Sequence, residues 1–80
     1  MDAAQDILEK VKKGIPDVDF SIEDGEVWYS ISFRCEDYEE PGDVSWSLHC
    51  DLRYDLELLG LTDDEWESDN DTIWGKVIYK

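Results

Sequence analysis

Positive charge is scarce in this chain. Seven Lys and Arg stand against 22 Asp and Glu over 80 residues, a formal net charge of −15. Between Gly14 and Gly75 only Arg34 and Arg53 are basic, against nineteen acids. A polyanion repels nucleic acid and anionic membrane, which excludes both as direct ligands. Cysteine is sparse as well. Cys35 and Cys50 are too few for a disulfide framework and are expected as buried, reduced thiols. With His49 the only histidine, the four N or S ligands of a structural zinc site are lacking. No Gly-rich phosphate loop or nucleophile elbow occurs, so no catalytic residues are assigned, and neither enzymatic activity nor a cofactor is expected. No apolar run approaches transmembrane length and no signal-peptide core follows Met1, so a soluble, cytoplasmic chain is expected.

What is present is enough for a compact fold: 41% of residues are hydrophobic and 12% aromatic. The length suits a single small domain spanning 1–80. Residues 2–13 read as a helix, with Asp2 as N-cap and Ala4, Ile7, Leu8 and Val11 as its apolar stripe. Gly14 is expected in the left-handed position that closes it, before Ile15 and Pro16. Asp17–Glu23 alternates as a strand, and Asp24-Gly25 is a hairpin turn leading into a second strand, Glu26 to about Glu36. Pairing Glu23 with Glu26 sets Ile22 opposite Val27 and Phe20 opposite Tyr29.

The longest pattern is Val44–Leu58, where every even position is apolar and every odd one polar or charged. Period-2 alternation predicts a long strand pairing first with the second strand and then with the last, Thr72–Lys80, with Tyr54 over Gly75. Thr62-Asp63-Asp64-Glu65 fits a capping box opening a short helical turn that carries Trp66. The expected fold is α+β, an N-terminal helix packed on a four-stranded antiparallel meander. The alternative is α-β-β-β-α-β, with a helix at 51–59.

The acids form three groups: Asp17, Asp19, Glu23, Asp24 and Glu26 on the first hairpin; Glu36, Asp37, Glu39, Glu40 and Asp43 in the next loop; and Asp63 to Asp71. Alternate side chains of a strand lie about 6.6–6.8 Å apart, close to two axial base steps of a duplex strand, so a carboxylate row can imitate phosphates. Trp28 and Trp74 fall on the face away from the core. They act there either as interface anchors within a charged rim or as a second small core beneath the Trp66 loop. The Asp69-Asn70-Asp71 run departs from a calcium loop, since Ile73, Trp74 and Lys80 occupy the remaining key positions. No defined metal ligands are assigned.

In size, acidity and coarse architecture the chain resembles the small nucleic-acid-mimic inhibitors of phages and mobile elements, including anti-CRISPR and anti-restriction proteins. The resemblance implies a stoichiometric inhibitor in the host bacterial cytoplasm. It would occupy the basic nucleic-acid-binding surface of an enzyme or effector complex. The expected contact residues are the first two acidic groups together with Trp28. Two alternatives stand beside it: an immunity protein neutralising a basic toxin or nuclease, and a divalent-cation binder.

Overall fold

Helix, hairpin, helix and hairpin follow one another through residues 3–80, the part described by the computed structural model. The elements are α1 (Ala3–Gly14), β1 (Asp19–Glu23), β2 (Glu26–Ser32), α2 (Pro41–Leu58), β3 (Leu61–Ser68) and β4 (Thr72–Tyr79). The strands form one antiparallel sheet in the order β1-β2-β4-β3. The fold is α+β, with the expected N-terminal helix and four-stranded antiparallel sheet. It also has a second helix, and the sheet is not a meander. α1 packs on β1, β2 and β4, and α2 on β3 and β4. The core joins Ile7 and Val11 of α1, Leu52 and Leu56 of α2, and Val27, Tyr29, Leu61, Ile73 and Val77 of the sheet. Both helices therefore cover one sheet face. Among the described residues no helix is long and apolar enough to cross a membrane.

α1 buries Ala4, Ile7 and Val11, as its stripe requires. The proposed cap Asp2 lies outside the described residues. Gly14 departs from expectation: it is the last helical residue and is not left-handed. A side chain there would meet Leu59, whose Cδ1 lies 3.0 Å from an ideal Cβ position. Gly14 thus serves a close approach between the ends of α1 and α2 rather than a turn.

The first hairpin has the expected register: Glu23 faces Glu26, Ile22 faces Val27 and Phe20 faces Tyr29. Asp24 (φ 51°) and Gly25 (φ 77°) are both left-handed, as a type I′ turn demands.

Val44–Leu58 is a helix, not a strand. A step of four residues preserves parity, so an all-even apolar pattern satisfies helical i, i+4 spacing as well as strand alternation. Pro41 sits in the first turn of α2, where its missing N–H costs nothing and its φ is already helical. Asp43 in that turn complements the helix dipole. Gly60 (φ 78°) follows the C-cap Leu59 and ends the helix. The alternative helix at 51–59 lies mostly within α2, but α2 starts ten residues earlier and two strands follow it.

The place expected for Val44–Leu58 beside β2 is taken by β4, which sets Val77 against Val27, Gly75 against Tyr29 and Ile73 against Ile31. The partner of Gly75 is therefore Tyr29, not Tyr54. Thr62–Glu65 belongs to β3, with Glu65 left-handed in its bulge, rather than to a capped helical turn. Asp69 N–H donates to the Thr72 carbonyl (2.8 Å) and Asn70 N–H to the Asp69 side chain (2.7 Å), closing the β3–β4 turn.

Candidate functional site

Three features are candidates: a buried polar cluster, an uncovered sheet face and the outer side of α2. The cluster centres on Asp63, whose side chain is only 1% exposed. Asp63 pairs with Val77 on β4 and so points to the helix side of the sheet. Its Oδ2 accepts a hydrogen bond from the Tyr29 hydroxyl at 3.0 Å and lies 2.6 Å from His49 Nε2. A carboxylate oxygen only accepts, so the imidazole donates from Nε2. Arg53 approaches Oδ1 at 3.6 Å from the surface. Burial first, and then the neighbouring Asp63, hold the Tyr29 hydroxyl well above the usual phenol range, so it stays a donor.

The sheet makes this reach possible. Tyr29 on β2 and Asp63 on β3 are separated by β4, and Gly75 lies between them. An ideal Cβ on Gly75 would fall 2.7 Å from the Tyr29 hydroxyl oxygen. The absent side chain is the lane through which the ring crosses. A bulge between Asp64 and Glu67, with Glu65 at φ 53°, then turns Trp66 toward α2. There it stacks on His49 with ring centroids 3.9 Å apart and an interplanar angle of 9°. Trp46 sits beside both rings, at 5.8 and 6.0 Å. Ser45 is buried and spends its hydroxyl on the Gly42 carbonyl. His49 and Asp63 are both closed off from solvent, so the cluster organises packing between α2 and the sheet in this conformation.

The second feature is the face of the sheet opposite the helices. Alternation and register place Asp19, Ser21 and Glu23 of β1, Glu26, Trp28 and Ser30 of β2, Trp74, Lys76 and Ile78 of β4, and Asp64 and Glu67 of β3 on it. Trp28 and Trp74 are half-buried by their neighbours. With Trp66, Glu65 and Glu67 they line an open cleft of about 430 Å³. The face therefore has aromatic groups along its middle and carboxylates on both edge strands. Among the described residues of these strands its cation is Lys76, which lies 3.5 Å from Glu26 and 3.7 Å from Glu65 and so is already engaged by acids. Trp66 borders this cleft and also stacks on His49, and Trp28 and Trp74 stay half-buried in an open cleft rather than an enclosed second core.

The expected contact residues divide between two places. Asp19, Glu23, Glu26 and Trp28 share the uncovered face, with Asp17 before β1 and Asp24 at the hairpin tip. Glu36, Asp37, Glu39, Glu40 and Asp43 lie in the segment between β2 and α2 and in the first turn of α2. All these acids are exposed. Glu39, Glu40 and Asp43 line an open cleft of about 400 Å³ with Tyr38, Val44, Ser47 and Leu48. The cysteines also depart from expectation. Cys50 is exposed on α2 and Cys35 is half-buried, its thiol pushed up by burial first and then by Glu39.

Among the described residues no group of three or more His, Cys, Asp or Glu is placed to hold a metal ion. Asp63 leaves the Asp63–Asp71 group by turning inward. The Tyr29–Asp63–His49 cluster is hidden in the sequence, because alternation places His49 on the outer face of a strand and the capping-box pattern places Asp63 in a surface turn. The available signals were Gly75, which needs a ring across it, and Pro41 and Gly60 as the two ends of a helix. Comparison with protein-family models, with curated proteins and with solved structures finds no match.

Proposed function

We propose that this protein is a stoichiometric inhibitor that binds the basic nucleic-acid-binding surface of an enzyme or effector complex. The acids of the uncovered sheet face stand in for phosphates. The observation that carries this reading is the composition of that face: Trp28 and Trp74 between two acidic edge strands, with its lysine already paired. Aromatic anchors supply desolvated contact area, and the surrounding charge steers association and sets its salt dependence. Asp19, Ser21 and Glu23 continue as a row at strand spacing, about 6.6–6.8 Å between alternate side chains. The Glu36–Asp43 segment adds charge at the approach to α2.

The test is capture of partners from a bacterial lysate, followed by competition with duplex DNA and with guide RNA. A captured protein displaced by its own nucleic acid, and retained poorly by a Trp28→Ser/Trp74→Ser variant, supports the proposal. A partner that still binds its nucleic acid when saturated with this protein overturns the mimic mechanism. Such a partner, if it were a toxin inhibited without competition, would favour the immunity-protein reading instead.

A further inference from the structure

The even-position pattern of Val44–Leu58 has a consequence once the segment is a helix. At about 100° per residue, positions separated by two fall on nearly opposite sides, and positions separated by four fall on one side. The even apolar residues therefore split into two stripes. Leu48, Leu52 and Leu56 turn toward the sheet, where Leu52 and Leu56 are buried in the core. Trp46, Cys50, Tyr54 and Leu58 turn outward. Trp46 is 59% exposed, Tyr54 65% and Leu58 70%, and Cys50 is exposed too. A helix on the surface of a small sheet needs only the first stripe. The second spans thirteen residues, about 18 Å of helix; its first residue, Trp46, leans on His49 and Trp66, while Cys50, Tyr54 and Leu58 stay exposed.

Charge decides what fits. Asp43, Asp51, Asp55 and Glu57 border the outer stripe, while Arg53 is directed to Asp63 and Lys80 to Glu57. An apolar strip between carboxylates matches an amphipathic helix whose apolar stripe is flanked by lysine or arginine. A second copy of this chain matches poorly, since both copies carry −15 and would bring the same acids together. We propose that the outer side of α2 is a docking surface for a basic amphipathic helix of a partner protein. It lies on the side of the molecule away from the uncovered sheet face and is independent of the function proposed for that face.

The test is isothermal titration of the full chain with three synthetic peptides of about four turns. One is an amphipathic Leu/Lys helix, the second has the same composition in scrambled order, and the third is the Leu/Glu counterpart. Each is also titrated against Tyr54→Ser/Leu58→Ser and against Trp28→Ser, with circular dichroism confirming that the variants are folded. Tyr54 and Leu58 are largely exposed, so their replacement leaves the core intact. The expected result is saturable binding of the Leu/Lys helix alone, weakened at least tenfold in the α2 variant and unchanged in Trp28→Ser. Equal binding of the scrambled peptide would show simple polyelectrolyte attraction and overturn the proposal. So would no binding, or loss of binding in Trp28→Ser with none in the α2 variant. A dimer in sedimentation that dissociates on Tyr54→Ser/Leu58→Ser would assign the stripe to a second copy and overturn it equally.

Discussion

Gly75→Ala is the substitution that bears most directly on how this sheet is built. The new Cβ would lie 2.7 Å from the Tyr29 hydroxyl oxygen, 2.8 Å from Cε2 and 2.9 Å from Cζ. Each is several tenths of an ångström inside ordinary contact. Tyr29 is 1% exposed, so the ring has no free space to enter. Its hydroxyl is also held by Asp63 at 3.0 Å, so any retreat stretches that hydrogen bond. Overpacking of this kind costs about 1–3 kcal/mol. Weakening a hydrogen bond to a buried charged group adds up to about 1.5–3 kcal/mol. Against this, alanine recovers roughly 0.5–1 kcal/mol of the entropy that glycine loses in a strand. The net expectation is a loss of about 2–4 kcal/mol, a large fraction of the stability of so small a domain. In a chain of this size that lowers the melting temperature by roughly 10 °C or more. Urea denaturation followed by circular dichroism measures the loss, and Tyr29→Leu supplies the second arm of a double-mutant cycle. With the ring gone, Gly75→Ala should cost little, giving a coupling of about 1–3 kcal/mol. An unchanged stability in Gly75→Ala, or the same cost in both backgrounds, would refute the idea that Gly75 exists to let Tyr29 reach Asp63.

Three further outcomes are expected. His49→Leu should destabilise by about 3 kcal/mol, because it removes one partner from a buried carboxylate, whereas His49→Leu/Asp63→Leu/Tyr29→Phe should recover much of that loss in chemical denaturation. Asp6 accepts from the Tyr79 hydroxyl, and that bond first, followed by Lys10, holds its carboxyl below the ordinary value of 3.8. A depressed folded-state value stabilises above that pH and is lost as pH falls through the folded value, so Asp6→Asn should be less stable than wild type at neutral pH and converge with it in acid; a difference that grows below pH 4 would contradict the assignment. The melting temperature should rise with added salt as self-repulsion among the acids is screened, and a value flat from about 10 mM to 0.5 M would mean the charges are locally compensated.

Local chemistry was legible where one residue or one dipeptide decides the backbone. Asp24-Gly25 specified the turn and, with it, the register of Phe20 and Ile22 against Tyr29 and Val27. The stripe of α1 and the alternation of Thr72–Tyr79 were equally readable, because each fits one period and not the other. The acidic edges were legible as charge, but their division between the uncovered face and the approach to α2 was not. That division depends on which strand each segment neighbours.

By itself the sequence determined an α+β chain with an N-terminal helix, a β1–β2 hairpin, a final strand and an overwhelmingly acidic surface. Tertiary structure alone decided that Val44–Leu58 is α2. Its parity pattern satisfies both periods, and the choice follows from which arrangement buries Leu52 and Leu56 while leaving β4 free to pair with both β2 and β3. The same choice carried His49 inward onto Asp63, sent Tyr29 across Gly75, and left Trp46, Tyr54 and Leu58 facing outward. Those contacts join residues from separate elements, and no spacing within a single segment encodes them.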